Sequence, residues 1–157
     1  MGGHTAALHK GRITQFGATA QVYRRPADLD TAQVFSNPPI NTAVVSKQGQ
    51  NIVLSDSARW PVRDELQQLP DGRYTVGIRA HHISPVPNGR DAIEIEGTVQ
   101  IAELSGSDST IHFRHGPLSW VSQSHGVHAI EINKTIRFFM EVRHCMYFGA
   151  DGKLIAS

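Results

Sequence analysis

The stretch Ile93-Glu94-Ile95-Glu96-Gly97-Thr98-Val99-Gln100-Ile101 places an apolar residue or glycine at every odd position and a polar residue at every even one. Successive side chains of a β-strand point to opposite faces, so this alternation predicts a long strand whose buried face includes Ile101. Ser105-Gly106-Ser107-Asp108 predicts a tight turn, because glycine, serine and aspartate are turn formers. Residues 110–114 predict the returning strand, so the centre of the chain is expected to form a hairpin.

Short apolar stretches bounded by turn residues predict further strands on both sides of this hairpin. They cover residues 42–45, 51–54, 74–78, 118–121, 135–142, 146–148 and 154–155. Fourteen glycines and eight prolines in 157 residues supply the turns between them. So many short strands favour a small β-barrel or sandwich.

Few helices are expected in this chain. Thr19 and Asp28 are the predicted N-caps of two short helices that end before residue 36, because their side-chain oxygens can accept from free backbone amides. A third short helix is expected over residues 62–69, with Pro61 in its first turn.

The composition excludes several classes of function. Fifteen Lys and Arg residues against 14 Asp and Glu give a formal net charge of +1. Binding to nucleic acid or to an anionic membrane requires a concentrated basic surface, so neither is expected. The aromatic residues of the C-terminal half lie within apolar alternation and are expected in the core. No apolar stretch approaches the ~20 residues that span a bilayer.

The single cysteine, Cys145, excludes an intramolecular disulfide and any Cys-x-x-Cys motif. It lies beside His144 in an apolar stretch, where neighbouring side chains of a strand point to opposite faces. We therefore expect a buried structural thiol rather than a nucleophile.

The sequence lacks the motifs of an ATP-hydrolysing site. Leu104-Ser105-Gly106-Ser107-Asp108 is similar to the Leu-Ser-Gly-Gly-Gln signature of ABC-type ATPases, but its position between two strands favours a turn. The Gly-Lys pair at 152–153 is followed by Leu154, which does not match a phosphate-binding loop. This chain by itself is not expected to be an enzyme.

Nine histidines raise the question of a metal site. The pairs considered are His81 with His82, His112 with His115, and His125 with His128. Positions three apart on a strand face opposite ways, and the last pair has no cysteine or acidic ligand nearby in the sequence. Surface or partly buried histidines are therefore expected, and no metal site is assigned.

A series of segments, in order along the chain, resembles the C-terminal part of the ATP-binding subunits of sugar-type ABC importers, of the maltose or glycerol-phosphate kind. They are residues 8–17, 18–35, 36–41, 77–82 and 96–112. Gly77-Ile78-Arg79-Ala80-His81-His82, for example, is similar to the family's Gly-Ile-Arg-Pro-Glu-His. Ala80 and His81 depart from that motif, so a contact that used the carboxylate is not expected here.

The resemblance implies a mostly β fold: an OB-like β-barrel of the TOBE type, with a short N-terminal strand and two helices left from the end of the ATPase core. Residues 1–35 would be the remnant of the nucleotide-binding domain, and residues 36–157 the regulatory domain. The missing core would bind ATP and magnesium, so no cofactor is expected in this chain.

The family also implies partners: a second copy of the chain, the membrane permease subunits, and a regulatory protein, at the cytoplasmic face of the membrane. Arg79, His81 and His82 are the candidate partner-facing cluster, with a local salt bridge of Arg79 and a solvated histidine pair as the alternative. If both histidines lie in a symmetric contact, acidification from about pH 7.5 to about 5.5 is expected to loosen it.

Two other functions remain open at this point. A small-ligand module that binds oxyanions would require amides or cationic side chains around a cleft. An OB fold that binds nucleic acid would require basic residues interleaved with stacking aromatics, which the sequence does not show. The transported solute is expected to be chosen by other subunits.

Overall fold

Strands account for most of the chain. The computed structural model describes residues 2–87, 89 and 91–157. The strands in these residues are β1 (His4–His9), β2 (Arg12–Ala18), β3 (Asn41–Gln48), β4 (Asn51–Ser55), β5 (Ala58–Pro61), β6 (Gly72–Ile78), β7 (Ile83–Ser84), β8 (Ala92–Ser105), β9 (Asp108–His115), β10 (Leu118–His125), β11 (Thr135–Glu141), β12 (Met146–Phe148) and β13 (Leu154–Ala156). The helical elements are α1 (Thr19–Arg24), α2 (Leu29–Val34) and the 3-10 turns Asp64–Gln68, Ala80–His82 and Val142–His144. The prediction of a mostly β fold is confirmed.

The strands of the described residues form antiparallel sheets of three sizes. β1 and β2 form a hairpin, the five-stranded sheet has the order β10-β9-β8-β11-β7, and the six-stranded sheet has the order β13-β12-β6-β3-β4-β5. The five-stranded sheet is nearly closed and barrel-like, consistent with the expected OB-like barrel. Buried side chains of both larger sheets, such as Ile52 and Phe113, share one hydrophobic core.

Asn41 joins the two larger sheets. Its side-chain amide donates to the carbonyl of Val121 at 2.8 Å, and its side-chain oxygen accepts from the amide of Val121 at 2.6 Å. The indole of Trp120 donates to the carbonyl of Thr42 at 3.0 Å. β10 is therefore held against β3 by buried side chains whose polar groups are satisfied.

The central hairpin has the predicted form. β8 and β9 pair with Ser105 opposite Asp108, and Gly106 in the turn between them has a φ of +61°. Glycine adopts this left-handed conformation without a Cβ clash. The segment 104–108 is thus the end of a hairpin rather than the start of a helix.

The register of this hairpin shifts between Val99 and Ile101, and Gln100 is the additional residue. One additional residue moves the side chains that follow to the opposite face. Ile101 is consequently 48% exposed, whereas Ala102 packs against the core. The prediction that Ile101 is buried is wrong, because the alternation continues in the sequence but the pairing does not.

Gly97 packs against the rings of two buried phenylalanines. Phe113 and Phe138 are both fully buried, and their rings stack with centroids 3.8 Å apart. A Cβ atom at residue 97 would lie 2.3 Å from Cδ2 of Phe113. Glycine at this position is therefore required by packing and not by a turn.

The helical expectations are met in part. Asp28 caps α2 as predicted, since its carboxylate accepts from the amide of Thr31 at 2.8 Å. Thr19 does not cap α1: it is the first helical residue, and its hydroxyl donates to the carbonyl of Gly3 at 3.1 Å. The short helix expected over residues 62–69 is present as the 3-10 helix Asp64–Gln68.

Pro61 closes β5 instead of opening that turn, since an edge strand tolerates a residue without a backbone donor. No helix of the described residues is long and apolar enough to cross a membrane.

Candidate functional site

The turn after β6 carries the three residues that the sequence singled out. Arg79 is extended, with a φ of −74° and a ψ of 149°, and the 3-10 turn Ala80–His82 follows it directly. Ala80 is buried, His82 is half-buried and His81 is exposed. The tight turn thus directs the three candidate side chains into different surroundings.

Arg79 points into the molecule and is 5% exposed. Its guanidinium donates to the carbonyl of Phe35 at 3.1 Å, to the hydroxyl of Ser36, and to the carbonyl of Tyr23 at 2.6 Å. It also lies 3.7 Å from the centroid of the Tyr23 ring, a cation–π contact. Arg79 therefore links the helical segment, which contains α1 and α2, to the end of β6. Its side chain does not lie on the exposed surface with that of His81.

His82 belongs to a compact polar cluster with residues from the 3-10 turn after β11. Its Nδ1 lies 3.0 Å from Oε2 of Glu141, and Nε2 of His144 lies 3.5 Å from the same oxygen. The rings of His82 and His144 stack at 3.9 Å, and the His81 ring lies 4.2 Å from that of His82. Nε of Arg143 donates to Nε2 of His144 at 3.1 Å. We call His82, Glu141 and His144 the His–Glu–His cluster.

The pKa of His82 is lowered to about 4, and burial is the largest cause. The charge of the neighbouring His81 also lowers this pKa, and its effect is larger than the opposing effect of the hydrogen bond to Glu141. The pKa of His81 is also lowered, first by burial and then by the charge of Arg79. His82 is consequently neutral throughout the range between pH 7.5 and 5.5. The pH dependence that the sequence suggested for a contact through His82 is therefore not expected.

A cavity of about 590 Å³ opens beside this cluster. Its lining includes four arginines and two histidines: Arg24, Arg25, Arg79, Arg143, His82 and His144. Burial lowers the pKa of Arg79, but a guanidinium stays charged at neutral pH. The cavity therefore presents positive charge, which favours an anion over a cation in its interior.

Cys145 lies beside a separate cavity of about 260 Å³ that Trp60 and Tyr147 also line. Burial raises the pKa of the Cys145 thiol to about 12, and the indole of Trp60 donates to the hydroxyl of Tyr147 at 2.8 Å. A protonated thiol is a poor nucleophile. The prediction of a buried thiol is confirmed.

Two of the other four histidines considered from the sequence have local partners, whereas Nε2 of His128 is buried without a hydrogen-bond partner in the part of the chain that the structure describes. His125 Nδ1 lies 3.0 Å from the carboxylate of Asp108 on the surface, and His115 Nδ1 lies 2.7 Å from the carbonyl oxygen of Glu96. Among the described residues, the His–Glu–His cluster is the one group of three or more potential metal ligands whose ligand atoms lie within 4.8 Å of one another.

Sequence reasoning identified His82 but missed Glu141 and His144. Glu141 is 59 residues away from His82 along the chain. The two meet because β7 pairs with the end of β11, with Ile83 opposite Met140. No local sequence pattern predicts this pairing, since β7 has only two residues.

No protein-family model matches the chain. It is 31% identical over 120 residues to the sn-glycerol-3-phosphate import ATP-binding protein UgpC of Yersinia enterocolitica, a match that covers 74% of this chain and 33% of that protein. It is 32% identical over 113 residues to the sulfoquinovosyl glycerol transport ATP-binding protein SmoE of Agrobacterium fabrum, covering 69% of this chain and 31% of that protein.

A third relative, the UgpC protein of Brucella abortus, is 25% identical over 162 residues, and the match covers 99% of this chain and 43% of that protein. The chain thus spans between 31% and 43% of the length of these curated relatives.

Proposed function

This chain is a relative of the ATP-binding subunits of sugar- and glycerol-phosphate-type ABC importers, and we propose that it forms their non-catalytic regulatory and dimerisation region. The observation that carries the proposal is the similarity to import ATP-binding proteins over 74% to 99% of the chain. The β-rich architecture supports it, because it is consistent with a C-terminal region of such a subunit. The sequence has no phosphate-binding loop of its own.

Residues 1–35 are proposed to complete a nucleotide-binding core, and residues 36–157 to form the regulatory domain. The support comes from the β1–β2 hairpin, where Leu8, Ile13 and Phe16 are between 59% and 68% exposed. A two-stranded hairpin is marginally stable alone, and clustered exposed apolar residues mark a contact surface. We propose that this surface packs against the rest of the subunit, which binds ATP and magnesium.

Arg79 is proposed to transmit movement between the two parts. Its bonds hold Tyr23 and Phe35 of the first part against the end of β6 in the second. An importer requires two ATP-binding cores to come together and separate. A β domain fixed to each core biases that equilibrium if it binds its twin, or a signalling protein, differently in the two states.

The proposed partners are a second copy of the chain, the permease subunits and a regulatory protein, at the cytoplasmic face of the membrane. His81 is the exposed residue of the turn and is proposed to lie in a partner contact. His82 and Arg79 are proposed to support that surface from beneath, because His82 is half-buried and Arg79 is buried.

The isolated chain is expected to show no magnesium-dependent ATP hydrolysis and no tight ATP binding, because Gly106 turns a hairpin and the phosphate-binding loop is missing from the sequence. A phosphate-release assay and calorimetry with ATP measure both quantities. Hydrolysis by the purified chain that disappears in a Gly106→Asp variant would contradict the non-catalytic assignment.

The chain is expected to form a weak, concentration-dependent homodimer, since a two-fold contact is the commonest way for identical chains to associate. β5 is an edge strand of the six-stranded sheet, and the backbone groups of an edge strand can pair with another chain. Sedimentation velocity over a concentration series measures the association.

A Phe16→Asp variant identifies the contact. Association through the regulatory domain survives this change, whereas association through the exposed hairpin does not. A monomer at every concentration, or a dimer that is lost with Phe16, would refute the proposed dimerisation.

Oxyanion binding is a second candidate function, and the arginine-lined cavity of about 590 Å³ is the observation that favours it. Calorimetry with molybdate, sulfate and a sugar phosphate tests it, with Arg143→Ala expected to weaken any binding. Arg137→Ala is the matched control, because Arg137 is an exposed arginine that pairs with Glu94 on the barrel surface. Equal loss in both variants would indicate non-specific charge attraction and reject the site.

A further inference from the structure

We propose that His82, Glu141 and His144 bind one divalent transition-metal ion, with Zn²⁺ as the ion that their chemistry and spacing match best. The cluster lies at the rim of the arginine-lined cavity, between the 3-10 turns Ala80–His82 and Val142–His144. This inference is independent of the regulatory role proposed above.

The three ligand atoms lie within 4.8 Å of one another, and two of their separations are close to those of a tetrahedral site. Zinc–ligand bonds of about 2.0–2.1 Å at tetrahedral angles place neighbouring ligand atoms about 3.3 Å apart. Oε2 of Glu141 lies 3.0 Å from Nδ1 of His82 and 3.5 Å from Nε2 of His144, values on either side of that separation. A metal ion can therefore replace the protons between these groups with small rotations of the two stacked rings.

The ligand types select among metals. Two imidazole nitrogens and one carboxylate oxygen suit zinc and its neighbours in the transition series. Magnesium and calcium prefer sites built from oxygen alone, so they are poor matches. Three protein ligands leave a fourth position for water or for an anion from the cavity.

The surroundings of the cluster suit a bound ion, because the half-buried His82 lies directly beside the carboxylate of Glu141. Glu141 supplies the negative charge that offsets the cation, with a side chain that is only 13% exposed.

Positive groups also face the cluster and will limit its affinity. Arg143 donates to Nε2 of His144, and Arg79 lines the same cavity. Arg143 is exposed, so its side chain can turn into solvent when the ion binds.

Two segments of the fold position the ligands before any ion arrives. The antiparallel pairing of β7 with β11 sets Phe139 opposite Ser84 and Met140 opposite Ile83. His82 and Glu141 are the residues next to this pairing, so the ladder fixes their separation. The bound ion would cross-link the turn after β6 to the turn after β11.

Titration of the metal-free, tag-free chain with Zn²⁺ against a chromophoric chelator tests the proposal. We expect one Zn²⁺ per chain, and with Co²⁺ as the probe we expect the strong visible absorption of a tetrahedral site. Glu141→Gln and His144→Ala are each expected to weaken Zn²⁺ binding more than about tenfold. Glutamine keeps the size and a hydrogen-bonding oxygen of Glu141, so this variant is expected to fold, which circular dichroism checks.

His125→Ala is the matched control, since it removes an exposed histidine that pairs with Asp108 and does not belong to the cluster. His81→Ala tests the neighbouring imidazole. Both are expected to retain the affinity and the Co²⁺ spectrum. Failure to bind one equivalent, an octahedral Co²⁺ spectrum, or equal loss in the cluster and control variants would overturn the assignment.

Discussion

Replacement of Gly97 by alanine is expected to lower the free energy of unfolding by about 3 kcal/mol, at the upper end of the usual cost of overpacking. The added methyl carbon would lie 2.3 Å from Phe113 and 3.0 Å from Phe138. Neither ring can move aside cheaply, because both are fully buried and stacked on each other. For a chain of this size the melting temperature should fall by about 6–12 °C, measurable by thermal and denaturant unfolding.

Gly17→Ala is the matched control for this prediction. A Cβ atom there would meet Cγ2 of Val22 at 3.6 Å, an ordinary contact, so its effect should stay within about 1 kcal/mol. Phe113→Leu should reduce the cost of the alanine at residue 97, because it removes part of the ring that the methyl group meets. Equal costs for the two glycine variants, or no coupling to Phe113, would reject the packing explanation.

Arg79→Ala is expected to destabilise the chain by about 3–4 kcal/mol, because hydrogen bonds to a charged group are strong and their buried acceptors would lose their partner. The carbonyls of Tyr23 and Phe35 and the hydroxyl of Ser36 depend on this guanidinium. The helical segment should loosen from the end of β6 before the whole chain unfolds. Tryptic cleavage after the exposed Arg24 measures that local event, and denaturant unfolding measures the global one.

Arg79→Lys should restore only part of the stability, since an ammonium group cannot reproduce the planar fork that reaches several acceptors. Arg137→Ala is the control, because an exposed ion pair with Glu94 contributes little. If Arg79→Ala and Arg137→Ala behaved alike in both measurements, the anchoring role of Arg79 would be wrong.

The local features of the fold were predictable because their causes are local. The alternation over residues 93–99 predicts one face of β8, and Asp28 predicts the start of α2. Gly106 predicts the turn of the central hairpin. Each depends on a few consecutive residues and on the period of a strand or the geometry of a cap.

The bulge at Gln100 shows the limit of that reasoning. The apolar pattern continues to Ile101, but the partner strand pairs Ile101 with His112 and Val99 with Phe113. Register is a property of two strands, so the pattern in one of them does not reveal where it shifts. The exposure of Ile101 therefore follows from the pairing of β8 with β9 and not from the pattern of β8 by itself.

By itself, then, the sequence determined most of the strands but not β5 or β7, together with the central turn, the cap at Asp28 and the relationship to importer ATP-binding subunits. The tertiary structure decided that Arg79 is a buried anchor and that His82 meets Glu141 and His144. The reason is physical: where a strand pairs regularly, the side that a residue faces follows from a period of two that its sequence neighbours reveal. Which distant groups meet is set by strand pairing and by the packing of core residues that lie far apart in the sequence.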